Sequence, residues 1–187
     1  MLHIRSTSLR NALLLAFAAG LLAAGCKGKA PLTNNLKAEN KVSVRPLAVY
    51  FQSAAMLLAP EHRSVELPEN AGAALPIAMR ELLKGPRTNT VARALPADTI
   101  LRGAFLLPDG TAIVDLGGIT VTRGWNTGTH EELIATYSIV QTITANFPDA
   151  KRVRILVNGE PPETLAGHIS MAKALVSDAT MLDPARK

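Results

Sequence analysis

The chain has 187 residues, 48 % of them hydrophobic and 19 % charged, with a formal net charge of +5. That length fits one domain of ordinary size rather than two, and that apolar content excludes wholesale disorder. Aromatic residues at 4 % are too few for a base-stacking platform, and the charge is too mild for the basic stripe of a nucleic-acid binder.

Residues 1–25 have the three parts of a secretory signal. Arg5 and Arg10 make the n-region positive, and their removal would lower the net charge to +3. The h-region, Ala12 to Leu22, is apolar throughout. It is far shorter than the roughly 20 residues a membrane-crossing helix needs. The end, Leu22-Ala23-Ala24-Gly25-Cys26, resembles the bacterial lipobox, in which small residues precede a cysteine that is lipidated before cleavage. Cys26 is the only cysteine, so it has no partner for an internal disulfide. The expected partner of this end is therefore the membrane, through lipid on Cys26. Each buried methylene contributes about 0.8 kcal/mol, so two or three acyl chains anchor stably where one binds marginally. Lys27 stands where inner-membrane retention would place an aspartate. In a host with two membranes, the inner leaflet of the outer membrane is the expected address.

Residues 26–44 are polar and aperiodic and read as a flexible tether from the lipidated cysteine. A domain is predicted over 45–169. Leu47 to Phe51 is a short apolar run after Pro46, and Arg63 to Leu67 alternates up to Pro68; both read as strands. A helix follows between Asn70 and Gly85, with Leu75, Met79, Leu82 and Leu83 on one face. Pro76 is expected in its first turn, and Gly85-Pro86 is expected to stop it. Ile100 to Leu107 and Thr111 to Leu116 flank Pro108-Asp109-Gly110 as a hairpin. A glycine-rich loop runs from Gly117 to Gly128 and holds the one tryptophan. Thr129 and Glu132 fit a capping box for a second helix. Its stripe is Leu133, Tyr137, Val140, Ile143 and Phe147. Val153 to Val157 is the last clear strand, and Leu165 is the candidate start of a short final pairing. The tail 170–187 carries no assignable pattern. This order predicts an α+β fold: a small mixed sheet with two amphipathic helices packed on one face.

No catalytic motif stands out. Nucleophile elbow, phosphate loop and dinucleotide fingerprint are all missing, and His130-Glu131-Glu132 has no second histidine at helical spacing. No cofactor and no metal are expected. Asp115 ends a strand beside the glycine loop, where it either hydrogen-bonds loop N–H groups or contributes to binding. Trp125, with Arg123 and Asn126, is a candidate contact site, since Trp and Arg favour interface centres; Trp125 packing back on the core is the alternative. Lys151, Arg152 and Arg154 form a basic cluster, with Arg152 and Arg154 on one strand face.

Several stretches together resemble the GerMN domain family, named for a sporulation and spore-germination lipoprotein. They are Val49-Tyr50-Phe51, Glu81 to Pro86, Ala94 to Thr99, Asp109 to Leu116, the second helix, and Val153 to Gly159. They run in family order from about Leu47 to His168. The namesake carries two such domains in tandem and is similar to ring-building proteins of envelope-spanning channels; this chain has room for one domain. The resemblance implies a non-catalytic domain that contacts an envelope protein or assembles with itself. A peptidoglycan- or glycan-binding module built on Trp125 and the basic cluster is the alternative, and a small hydrolase centred on Asp115 the third.

The anchor is directly testable. Cys26→Ser is expected to lose palmitate labelling and to move the protein from the membrane to the soluble fraction; a variant that still labels refutes lipidation at this sulfur.

Overall fold

The computed structural model describes residues 41–186. The leader 1–25, Cys26, the tether residues 27–40 and Lys187 lie outside the described residues. Among the described residues no helix is long and apolar enough to cross a membrane.

Strands β1 (Val42–Ser53) and β2 (Leu58–Pro68) form a long antiparallel hairpin. Leu47, Val49 and Phe51 point into the core at 1 % exposure or less. Both strands are longer than their apolar runs. Val44 already pairs with Glu66, so the predicted tether boundary at 44 is corrected: the domain begins by Val42. Helix α1 (Ala71–Leu83) is capped by Asn70, whose side chain accepts the Ala73 N–H, and ends at Gly85 with φ +83°. Pro76 is inside α1 rather than in its first turn. Its ring nitrogen has no hydrogen, so the helix forgoes one backbone bond there. After the two-residue strand β3 (Val91–Ala92) come β4 (Ile100–Leu106) and β5 (Thr111–Gly117), joined by the predicted turn at Gly110. The glycine-rich loop contains a short helix, α2 (Ile119–Arg123). Helix α3 (Thr129–Asn146) and strand β6 (Arg152–Val157) follow.

The fold is α+β as expected, but the single mixed sheet is corrected to two sheets of three strands. One is antiparallel, in the order β2-β1-β3; the other is β4-β5-β6, with β4 antiparallel and β6 parallel to β5. Helices α1 and α3 touch each other and lie against both sheets. The reason for the split is local. Asn146, the last residue of α3, places its amide on the free edge of β1: Nδ2 donates to the Ala48 carbonyl (2.7 Å) and Oδ1 accepts the Ala48 N–H (2.9 Å). Thr142 Oγ1 accepts the Tyr50 N–H at 3.1 Å. Helix side chains thus take the ladder bonds a further strand would supply, and β3 pairs only with Gln52 and Ser53.

The tail is part of the domain. Leu175 bridges to Val153, Met171 and Met181 are buried, and the Asp183 N–H donates to the Leu58 carbonyl. Leu165 starts no strand; it is a buried loop residue.

A buried ionic cluster fastens β2 to α1. Arg63 donates to Glu61 through Nε (2.9 Å) and Nη2 (2.5 Å), and to Glu81 Oε2 through Nη1 (3.1 Å). It also donates to the carbonyls of Glu81 and Gly85, and its guanidinium lies 5.3 Å over the Phe51 ring. Burial pushes the Glu61 and Glu81 carboxyls up, but these donors, with the Arg87 and Thr88 N–H groups at Glu61 and Lys84 at Glu81, hold both below the usual range. Removing the cation takes the central donor from two buried carboxylates and from the carbonyls of Glu81 and Gly85. Arg63→Ala is expected to cost about 3–5 kcal/mol in urea unfolding. Glu69→Ala, which breaks the exposed Lys41–Glu69 pair at 3.5 Å, is expected to change nothing measurable. Equal costs for the two variants contradict the account.

Candidate functional site

Strand β5 alternates cleanly. Ala112, Val114 and Leu116 are fully buried, which turns Ile113 and Asp115 to the other face of the second sheet. In β6, Val153 and Ile155 are buried, so Arg152, Arg154 and Leu156 face outward. The register then sets two cross-strand rows: Phe105–Ile113–Arg154, and Gly103–Asp115–Leu156. Phe105 is 59 % exposed. Its ring lies over Gly103: a Cβ there would be 2.8 Å from Phe105 Cε2, so the glycine is what lets the ring lie flat on the sheet. The result is an apolar patch of Phe105, Ile113 and Leu156 bordered by arginines.

The charges on this face are mostly committed. Asp115 Oδ1 accepts the Gly159 N–H (2.8 Å), and Oδ2 accepts from Arg102 Nε (3.2 Å). The expected bond to the glycine loop is thus corrected: Asp115 holds the turn after β6. Arg152 donates to Thr111 Oγ1 (2.8 Å) and to Asp109 Oδ2 (2.7 Å). The Thr111 N–H and hydroxyl, and then Arg152, hold the Asp109 carboxyl below the usual range. Among the described residues no carboxylate pairs with Arg154.

Of the residues singled out from sequence, the fold brings Asp115, Arg152 and Arg154 together on this face. Arg123 instead ends α2, and Trp125 and Asn126 sit in the loop after it; Trp125 packs partly buried against the main core, while Arg123 and Asn126 are exposed. Cys26 lies outside the described residues. Sequence reasoning missed Phe105, Ile113 and Leu156. Their signal is apolar residues on both faces of a strand, where one face suffices for a core.

A second unforeseen feature is Glu132. The predicted capping box is corrected: Gly128 is the N-cap of α3, with no side-chain cap bond, and Glu132 is fully buried. Its Oε1 accepts the N–H groups of Leu165 (2.8 Å) and Ala166 (2.9 Å). Its Oε2 accepts the His168 N–H (2.7 Å) and lies 3.1 Å from His168 Nδ1. Gly167, at φ +101°, lets the loop wrap around the carboxylate. Burial pushes the Glu132 carboxyl up, but the surrounding N–H donors outweigh it and hold it low. Both oxygens are spent on organising this loop.

A family described as Germane, sporulation and spore germination, matches residues 48–163. Solved structures share the fold, among them the following three. A candidate lipoprotein from Clostridium perfringens is 23 % identical at a TM-score of 0.52, covering 72 % of this chain and 88 % of that one. The first GerMN domain of the sporulation protein GerM from Bacillus subtilis is 20 % identical at a TM-score of 0.53, covering 71 % and 97 %. The tandem GerMN domains of the same protein are 20 % identical at a TM-score of 0.52, covering 76 % and 52 %, so this chain spans about half of that pair. No curated protein matches the chain.

Glu132 generates a pH prediction. A carboxyl held low in the fold stabilises above its unfolded value, about 4.5, and that contribution is lost as pH falls through the folded value. Glu132→Gln is expected to cost about 2 kcal/mol at pH 7, a gap from wild type that shrinks between pH 5 and 3 (~2 units) in urea midpoints. A gap that stays constant over this range refutes the clamp as ionic.

Proposed function

This chain belongs to the Germane family of sporulation and spore germination domains, and from that premise we propose that it is an envelope lipoprotein whose domain works by contact rather than by catalysis. The lipobox-like end at Cys26 supports export and anchoring. The kinship in fold with a candidate lipoprotein and with a sporulation protein accords with an extracytoplasmic setting. The observation that carries the contact role is the outer face of the second sheet. A ring 59 % exposed, on a face whose neighbours are Ile113, Leu156 and the unpaired Arg154, is a surface that gains by being covered. Aromatic and arginine anchors are the groups that dominate interface energetics. The patch fits a protein surface that offers an apolar centre and a carboxylate for Arg154. The glycan-binding reading needs Trp125 presented to a ligand, whereas its ring is partly buried on the core. The hydrolase reading needs a free Asp115, whereas both its oxygens hold the fold.

A photo-crosslinking residue at Phe105 in intact cells is expected to capture an envelope protein, and one at Val176, 58 % exposed elsewhere on the domain, is not. Phe105→Glu is expected to abolish the function of the protein in cells while shifting stability by no more than about 0.5 kcal/mol. Equal labelling from both positions removes the basis for this face.

A further inference from the structure

The hydrogen-bond pattern of the first sheet determines which groups its outer edge presents. Along β1, Ala48 spends both its N–H and its carbonyl on Asn146, and Tyr50 spends its N–H on Thr142. The even-numbered residues of β1 therefore aim their backbone away from β2. In an antiparallel ladder, bonded and non-bonded pairs alternate. Ala48 faces His62, and Pro46, which has no N–H to give, faces Ser64; these are the non-bonded pairs. On β2, then, His62, Ser64 and Glu66 turn their N–H and carbonyl groups outward, to the open edge. Leu58 shares this parity, and its carbonyl does accept an outside donor, the Asp183 N–H. The Pro68 carbonyl is taken by Arg45 at 2.6 Å. Between them, among the described residues, no hydrogen bond reaches the outward groups of His62, Ser64 and Glu66.

Natural edges are blunted by proline, by lysine, by inward-pointing charges or by a bulge. Of these β2 has inward-pointing charges, Glu61 and Arg63, and they are paired with each other in the buried cluster. Here the ladder with β1 runs unbroken, and between Pro60 and Pro68 the sequence Glu-His-Arg-Ser-Val-Glu-Leu contains neither proline nor lysine. Glu61, Arg63 and Leu67 are buried, so the strand is held rigidly from its inner face, while His62, Ser64 and Glu66 are exposed.

We propose that the β2 edge pairs with the β2 edge of a second copy of this chain, antiparallel about Ser64, to join the two first sheets into one continuous sheet. The sequence is self-complementary in this register. Ser64 faces Ser64, His62 faces Glu66 at both ends, and Pro60 faces Pro68, so the ladder closes where both chains run out of N–H donors. Every outward N–H of His62, Ser64 and Glu66 finds a carbonyl. The imidazole–carboxylate pairs add a cross-strand contact that is repeated by the two-fold axis. A shift by two residues in either direction sets Glu66 against Pro60, or His62 against Pro68, and loses the imidazole–carboxylate pairs. This pairing specifies one partner for the assembly role proposed above and rests on that reading, but it uses a different surface from Phe105.

The test uses the full chain carrying Cys26→Ser, purified in mild detergent. Sedimentation is expected to show a concentration-dependent dimer. Ser64→Pro removes the central donor from the edge without touching a bond to β1, so it is expected to weaken the dimer at least about ten-fold with little change in the unfolding midpoint. Independently, Ser64→Cys places two sulfurs across the axis at a Cα separation of about 5.5 Å, within disulfide range. It is expected to oxidise to a covalent dimer, whereas the exposed control Lys173→Cys is not. A chain that stays monomeric, or a dimer that survives Ser64→Pro while Ser64→Cys fails to crosslink, overturns the proposal. Crosslinks from Phe105 that persist in Ser64→Pro would leave the contact role of the second sheet standing by itself.

Discussion

One carboxamide decides the architecture. Asn146 bonds both backbone groups of Ala48 and, with Thr142, closes an edge of β1 that would otherwise accept another strand. A buried backbone N–H or carbonyl without a partner costs as much as a lost hydrogen bond, so the edge had to be satisfied by something. Because a helix satisfies it, the strands cannot merge into one sheet. β4, β5 and β6 form their own sheet, and α3 is held against β1 while it also packs on β6. The same bonds set the parity of the whole hairpin and so determine which backbone groups β2 presents outward.

The buried charges of the domain do structural work of a related kind. Arg63 ties the β hairpin to the C-terminal end of α1 through Glu61, Glu81 and the Gly85 carbonyl. Glu132 ties the start of α3 to the loop at 165–168. In each case an ionised group reaches several donors or acceptors that no apolar residue could engage, and the loop that Glu132 holds has no regular structure of its own. Glu61, Glu81 and Glu132 belong to these clamps, and their low carboxyl values follow from donors already in place.

The two surfaces face different ways in their chemistry. The outer face of the second sheet offers side chains: an exposed ring and, among the described residues, an arginine without a carboxylate partner. The edge of the first sheet offers backbone. A side-chain patch and a backbone edge are two kinds of surface on one domain of a family described by sporulation and spore germination.

Local chemistry was legible from the residues alone: the helix between Asn70 and Gly85, the Gly85 stop, the Asp109-Gly110 turn, the inward alternation of Val114 and Leu116, and the ordered set of stretches that points to the family. Each depends on neighbours in the chain. The domain limits were not legible, because Val42–Val44 and the tail to Arg186 are polar or irregular stretches that become ordered only by pairing with Glu66–Pro68, Val153 and Leu58. Glu132 followed a capping pattern in sequence yet turned inward, because three N–H groups from a loop more than thirty positions on gave it a better site than its own helix end. The division into two sheets, the gathering of Phe105, Ile113, Asp115 and Arg154 on one face, and the free edge of β2 all rest on contacts between residues distant in the chain. Sequence specifies what each segment prefers; only packing decides which segment satisfies another's backbone, and that choice made the surfaces.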